Sequence, residues 1–160
     1  MIHIRQASDV DAAIIARLNR DVQQPHAEAY PWMFKHPDTG SFTAAEARAA
    51  MARDGFITFI AEIDGQAVGH AIAEERRRPE TGRHYARAMM FIHEIVVAGD
   101  ARRRGVGRTL IAAVGDYGRS VGIDLLALDT WQFNEGAQAF FKSCGLAPAR
   151  IMLWNRVDGA

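Results

Sequence analysis

A single cysteine, Cys144, in 160 residues excludes an internal disulfide framework and a cysteine-rich zinc site. No metal site is expected. Net charge is also missing: 19 basic side chains cancel 19 acidic ones, so nothing global points to nucleic acid or an anionic membrane. No apolar run approaches membrane-spanning length. The N-terminus, MIHIRQASDVD, has no apolar stretch after a basic start, so it lacks the form of a signal peptide and predicts a cytoplasmic protein. Repeats and low-complexity segments are absent. With 49% hydrophobic and 24% charged residues, one domain spanning 1–160 is expected.

What positive charge there is gathers in one place. The stretch FIHEIVV-AGDA-RRRGVGRTLIAAVGDYGRS, residues 91–120, passes from an apolar strand through a polar turn into an amphipathic helix. Arg102, Arg103, Arg104 and Arg108 cluster at the helix start with only Asp100 near them. First-turn N–H groups lack intrahelical partners, and the helix dipole adds partial positive charge at that end. Gly105 and Gly107 remove the Cβ atoms that would keep a phosphate off the backbone. The arrangement is an anion cradle. A phosphate-binding P-loop needs Gly-Lys-Ser/Thr, which does not occur here, and a dinucleotide fingerprint needs a third small residue where the chain has Leu110.

In chain order, alternation of Ile2 and Ile4 with His3 and Arg5 predicts a first strand. Ser8 and Asp11 then form a box-like cap for a helix of about four turns carrying Ile14, Ile15, Leu18 and Val22 on one face. Pro25, Pro31 and Pro37 argue against a long regular helix over 25–40. Thr43-x-x-Glu46 signals a second helix, and Asp64-Gly65 between two apolar runs signals a hairpin. Residues 76–86 are a loop or strand extension. A central strand is expected from about Met89 to Val97. After the cradle helix come a strand over 123–130, a helix capped by Asn134 and ended by Gly145, and a last strand through Ile151, Leu153 and Val157. Gly115 and Gly118 lower helix propensity in the cradle helix, with close helix-on-sheet packing as the reason. The expected fold is α/β: a mixed, mostly antiparallel sheet of six to seven strands with helices on both faces.

Two motifs carry a family resemblance. Arg102-x-x-Gly105-x-Gly107 resembles the Q/R-x-x-G-x-G/A acyl-CoA motif of the GCN5-related N-acetyltransferases. Asn134-x-x-Ala137-x-x-Phe140-Phe141-x-x-x-Gly145-Leu146 is similar to that family's second segment, N-x-x-A-x-x-F-Y-x-x-x-G-F. The element order fits over nearly the whole chain. The resemblance implies acetyl-CoA as co-substrate, with its pyrophosphate held by the backbone of Arg102, Arg103, Arg104, Gly105, Val106, Gly107 and Arg108. It implies a backbone amide near Val96 or Val97 polarising the thioester, in a cleft where strands 91–97 and 123–130 splay apart. Asn134 and Phe141 would meet the acyl-pantetheine arm. The implied activity is acyl-CoA-dependent N-acylation of a primary amine by direct attack in a ternary complex.

Amines are protonated near neutrality, lysine titrating at about 10.4 and an α-amine at about 8, so attack needs a proton acceptor. Glu94, inside an apolar strand, is the candidate base; a plain ion pair with an arginine is the other reading. Alternation puts His93 and Glu94 on opposite faces, so only one looks into the cleft. The chain departs from the family at Phe141, where a tyrosine often protonates the leaving sulfur. Ser143, Tyr85, Tyr117 or water are the substitutes. A non-catalytic acyl-CoA-binding regulator stays open on the same ground. His26, Tyr30 and Trp32, with His36, either line the acceptor pocket or pack their own loop. The acceptor is a small-molecule or peptide amine rather than nucleic acid or membrane, and the exposed last strand offers an edge for a homodimer.

Overall fold

Alternating apolar residues over 2–6, 56–63 and 66–78 build the antiparallel part of a five-stranded sheet in the computed structural model, which describes residues 1–155. Strands β1 (Ile2–Gln6), β2 (Phe56–Ile63), β3 (Gln66–Arg78), β4 (Arg87–Val97) and β5 (Leu126–Leu128) lie side by side in chain order. The first three pairings are antiparallel and β4–β5 is parallel. Helices are α1 (Ala12–Ala29), α2 (Ala44–Met51), α3 (Val106–Ser120) and α4 (Glu135–Ser143). The chain divides into two compact units, Met1–Asp129 and Thr130–Ala160; the sheet and α1–α3 lie in the first, α4 in the second.

The expected α/β class and mixed sheet hold, but five strands stand where six to seven were expected. The strand expected over 123–130 shrinks to Leu126–Leu128, and 151–155 form no strand, with Ile151, Met152 and Leu153 exposed. An apolar run becomes a strand only where its N–H and C=O groups meet a neighbour, and periodicity does not report the neighbour. Among the described residues, 151–155 therefore present no strand edge of the kind expected to serve a homodimer, and Val157 lies outside them.

Capping and turn signals were realised. Ser8 N–H donates to Asp11 Oδ2 at 2.8 Å, and Thr43 N–H and Glu46 N–H close the second capping box at 2.7 and 3.2 Å. Asp64 and Gly65 turn the β2–β3 hairpin with φ of 52° and 77°, the paired left-handed conformation of a two-residue turn. Helix α1 runs through Pro25 to Ala29, further than its prolines predicted. Proline there removes one bond, to the carbonyl of Asp21, and both residues are exposed, so the gap lies on the solvent side of the helix.

Helices cover both faces. Ala12 and Ile15 of α1 and Ala47 of α2 pack with Ile60 and Ile72 on one face. Tyr117 of α3 meets Phe59 on the other. Gly118 explains itself: a Cβ would stand 2.7 Å from Met90 Cγ and 3.0 Å from Ile123 O. Gly115 does not follow, since a Cβ there would make ordinary contact with Arg119 Nη1 at 3.6 Å.

One irregularity changes which face side chains take. Ile72 pairs with Glu94 but Ala73 pairs with Ile92, so His93 is an extra residue in β4. The expected opposition of His93 and Glu94 fails for that reason. His93 stacks on Phe56, which packs on the Ile60–Ile72 core, and Glu94 pairs across from Ile72 of that core; both face α1 and α2.

Asp11 is 1% exposed and salt-bridged to Arg5 at 2.7 Å. The Arg5 hydrogen bond holds its carboxyl at about 2, below the ordinary 3.8, so the contact stabilises the fold above that ordinary value and is lost as pH falls through about 2. Asp11→Asn is expected to cost roughly 3 kcal/mol and flatten this acid limb in urea unfolding between pH 7 and 2; an unchanged limb contradicts the assignment. For the helix glycines, Gly118→Ala should lower the melting temperature while Gly115→Ala raises stability by about 1 kcal/mol. Equal effects would show that packing does not distinguish the two positions.

Candidate active site

The candidate site grows from the end of β4. Alternation in the ladder decides which of its backbone groups are spent. Ala98 N–H donates to Val68 O at 2.8 Å, so the next pair, Val97 with Gly69, is a non-hydrogen-bonded one. Val97 therefore turns its N–H and C=O away from β3, whereas Val96, paired with His70, turns its own toward β3 and is 1% exposed. On the far side β5 pairs with β4 only at Met90, Phe91 and Ile92. Past the bulge at His93, that edge of β4 has no strand beside it among the described residues.

Immediately beyond, the chain makes a short 3₁₀ turn at Gly99–Ala101 and reaches the arginine cluster. Arg103 is left-handed at φ 60° and Gly105 at φ 89°. A left-handed arginine is uncommon and costs roughly 1–2 kcal/mol, so something over-determines the loop. Gly105 is left-handed beside the right-handed first residue of α3, a pairing that turns successive amides toward one concavity suited to an anion. Gly105 caps α3, and Thr109 N–H returns to its carbonyl at 3.0 Å. Arg102, Arg103, Arg104, Gly105 and Arg108 are exposed, Gly107 is half-buried, and Val106 is buried as the anchor.

Two contacts fix this loop to β4. Arg102 Nε donates to Val97 O at 3.2 Å, tying the cradle to the strand end that turns away from β3. Gly69 lets α3 close in: a Cβ there would lie 2.7 Å from Val96 O and 3.3 Å from Val106 Cγ1. Val97 and Arg102–Arg108 thus belong to one local structure, as does Glu94, three residues before Val97 on the same strand.

Glu94 is 19% exposed and is not paired with an arginine: its near neighbour is His70 of β3, Nε2 to Oε1 3.3 Å. His70 was not singled out from the sequence. Its signal was a lone histidine within the apolar run QAVGHAIAE, indistinguishable there from a packed core residue. His93 instead joins Glu74 at 2.8 Å, with Arg76 on the same carboxylate at 2.7 Å. Arg76 and His93 hold Glu74 below the usual carboxylate range, with the arginine the larger cause.

The remaining candidates lie as follows. His26 Nδ1–H donates to Val22 O at 2.7 Å, and its ring meets Phe34 edge-on. Tyr30 and Trp32 make an edge contact with each other, and Trp32 stays exposed. Of the substitutes for tyrosine, Tyr117 donates to Glu75 at 2.8 Å, which raises its pKa, and it lies against Phe59 on the face away from Glu94. Tyr85 is exposed, and Ser143 donates to Phe140 O at 2.7 Å. In the second unit, Asn134 Oδ1 accepts from Ala137 N–H at 3.0 Å, Phe141 is buried, and Cys144 is half-buried. Among the described residues no cluster of His, Cys, Asp or Glu is arranged to hold a metal, and no helix is long and apolar enough to cross a membrane.

Comparison with known proteins decides the family. The model of the acetyltransferase (GNAT) family matches residues 18–146. The chain belongs to the GNAT acetyltransferase family. It is 31% identical over 121 residues to an aminoglycoside N(6')-acetyltransferase type 1 of Salmonella typhimurium, covering 76% of this chain and 81% of that protein. A second such enzyme, from Salmonella enteritidis, is 29% identical over 142 residues, covering 86% and 96%. Among solved structures, aminoglycoside N-acetyltransferase AAC(6')-Iy in complex with CoA is 26% identical with a TM-score of 0.73, covering 99% of this chain and 96% of that one. A tetramutant of the BH1408 protein from Bacillus halodurans shares the fold at TM-score 0.90 and 21% identity, covering 97% and 99%. The GNAT match and the aminoglycoside-acetylating relatives make this chain an N-acetyltransferase.

Proposed function

We propose that this GNAT enzyme transfers acetyl from acetyl-CoA to a primary amine of a small-molecule acceptor by direct attack in a ternary complex. The observation that carries this reading is the tie between Arg102 and Val97, which joins the anion cradle to a strand end turned away from β3. The backbone of Arg102–Arg108 holds the pyrophosphate. Val97 N–H donates to the thioester carbonyl and to the oxyanion that develops from it, while Val96, turned toward β3, supports the strand. A preorganised donor of this kind is often the largest catalytic contribution. Asn134 and Phe141 are assigned to the acyl-pantetheine arm by the motif that carries them; the Asn134 carboxamide oxygen is taken by the helix cap, so its NH₂ group is the part that would donate.

The proton balance runs through Glu94. Its carboxylate takes a proton from the acceptor ammonium, directly or through one water, and the freed amine attacks the thioester carbon. The C–S bond breaks, sulfur leaves as thiolate, and the second amine proton goes to it. A thiol titrating at about 8.5 is a tolerable leaving group without a protein acid, which removes the objection raised by Phe141. An acceptor of the aminoglycoside class suits the reading, because the curated relatives are aminoglycoside acetyltransferases and the Glu94 carboxylate attracts an ammonium group. His26, Tyr30 and Trp32 are proposed for the acceptor side as ring surfaces for a cationic sugar.

Free-thiol release by the purified protein across a panel of amines, with hydrolysis as background, tests the reading. Amine-dependent release, led by aminoglycosides, is expected; tight CoA binding without any release would instead make the chain a binding module. Glu94→Gln should lower kcat by about 100-fold or more with acetyl-CoA affinity nearly intact, and an unchanged pH–rate profile would remove Glu94 from the mechanism. Gly107→Glu should abolish CoA binding in calorimetry, and retained binding would sink the cradle.

A further inference from the structure

His70 is the one fully buried histidine whose ring has no hydrogen-bond partner at either nitrogen, and Glu94 Oε1 is buried and equally unpartnered. The two atoms face each other at 3.3 Å, within ion-pair distance but out of line for a hydrogen bond. Across the sheet His70 sits between Ile60 of β2 and Val96 of β4, both buried. The next row on the same face is Thr58, Ile72 and Glu94. Within these two rows Glu94 is the only charged group His70 meets. A buried polar group without a partner is costly, and a leucine or phenylalanine would fill an apolar gap at no such cost. Nε2 and Oε1 already stand within donor–acceptor reach, and catalytic hydrogen bonds commonly tighten when substrates bind.

We propose that His70 is a positioning residue for Glu94, an inference that rests on Glu94 being the base. His70 Nε2–H donates to Oε1, fixes the carboxylate's rotamer, and leaves Oε2 as the atom that takes the ammonium proton. The bulge at His93 makes this possible, because it sets Glu94 on the His70 face. His70 gives up no proton and touches no substrate; it acts through Glu94 alone.

The test combines a kinetic split with a double-mutant cycle. His70→Phe keeps ring volume and removes the donor; it should lower kcat by about 10-fold or more, with the CoA dissociation constant unchanged within about twofold. His70→Gln, which sets an amide donor near the Nε2 position, should recover kcat to within about fivefold of wild type. The double variant Glu94→Gln with His70→Phe should be no slower than Glu94→Gln alone. Should His70→Phe fail to fold, His70→Leu takes its place with the same expectations. Full multiplication of the two effects, or no rescue by glutamine, overturns the proposal. If Glu94→Gln is slow while His70→Phe turns over like wild type, the His70 inference alone falls. If Glu94→Gln itself is fast, the base assignment falls and this proposal with it.

Discussion

An extra residue in β4 governs what the rest of the molecule does. With His93 inserted opposite the Ile72–Ala73 step, the strand changes its alternation between Ile92 and Glu94. Pairing with β5 ends at the same place, at Ile92 with Leu128. A bulge bends its strand and leaves ladder groups unmatched, and here it falls where the β5 pairing stops. The open edge past His93 is where Val97 turns its amide, and the changed alternation sets Glu94 beside His70.

The second constraint is the short distance from that edge to the helix. Only eight residues separate Val97 from Val106, so the anion cradle is held against the strand end. A left-handed arginine, a left-handed glycine and the Arg102 contact to Val97 O fix the loop, and Gly69 lets Val106 and Leu110 close over the sheet. In the proposed binding mode, a ligand with its anionic end on α3 has its other end directed along the end of β4. Preorganisation of this kind lowers the entropic cost of assembling two substrates.

Much of this was legible in the sequence, and the residues show why. Both capping boxes, the Asp64-Gly65 turn, the cradle helix and the Asn134 cap each depend on residues within four positions of one another, so a local pattern reports them. The GNAT family was legible because its two motifs are likewise local. What escaped depends on partners far along the chain. The bulge at His93 has no composition signal and exists only in the register with β3. His70 and Glu94 meet across strands, 24 positions apart. Ile151 and Leu153 carry a strand pattern without a strand. Pro25 read as a helix breaker, yet α1 runs through it to Ala29 at an exposed position.

The central claim is that the cradle, the Val97 amide and Glu94 serve one direct transfer between two bound substrates. Initial velocities measured over a grid of acetyl-CoA and amine concentrations test it most directly. Intersecting double-reciprocal lines, with the half-reaction of enzyme and acetyl-CoA alone releasing no stoichiometric thiol, are the predicted result. Parallel lines with a burst of one thiol per chain would mean that an acyl-enzyme forms first, and would contradict the account at its core.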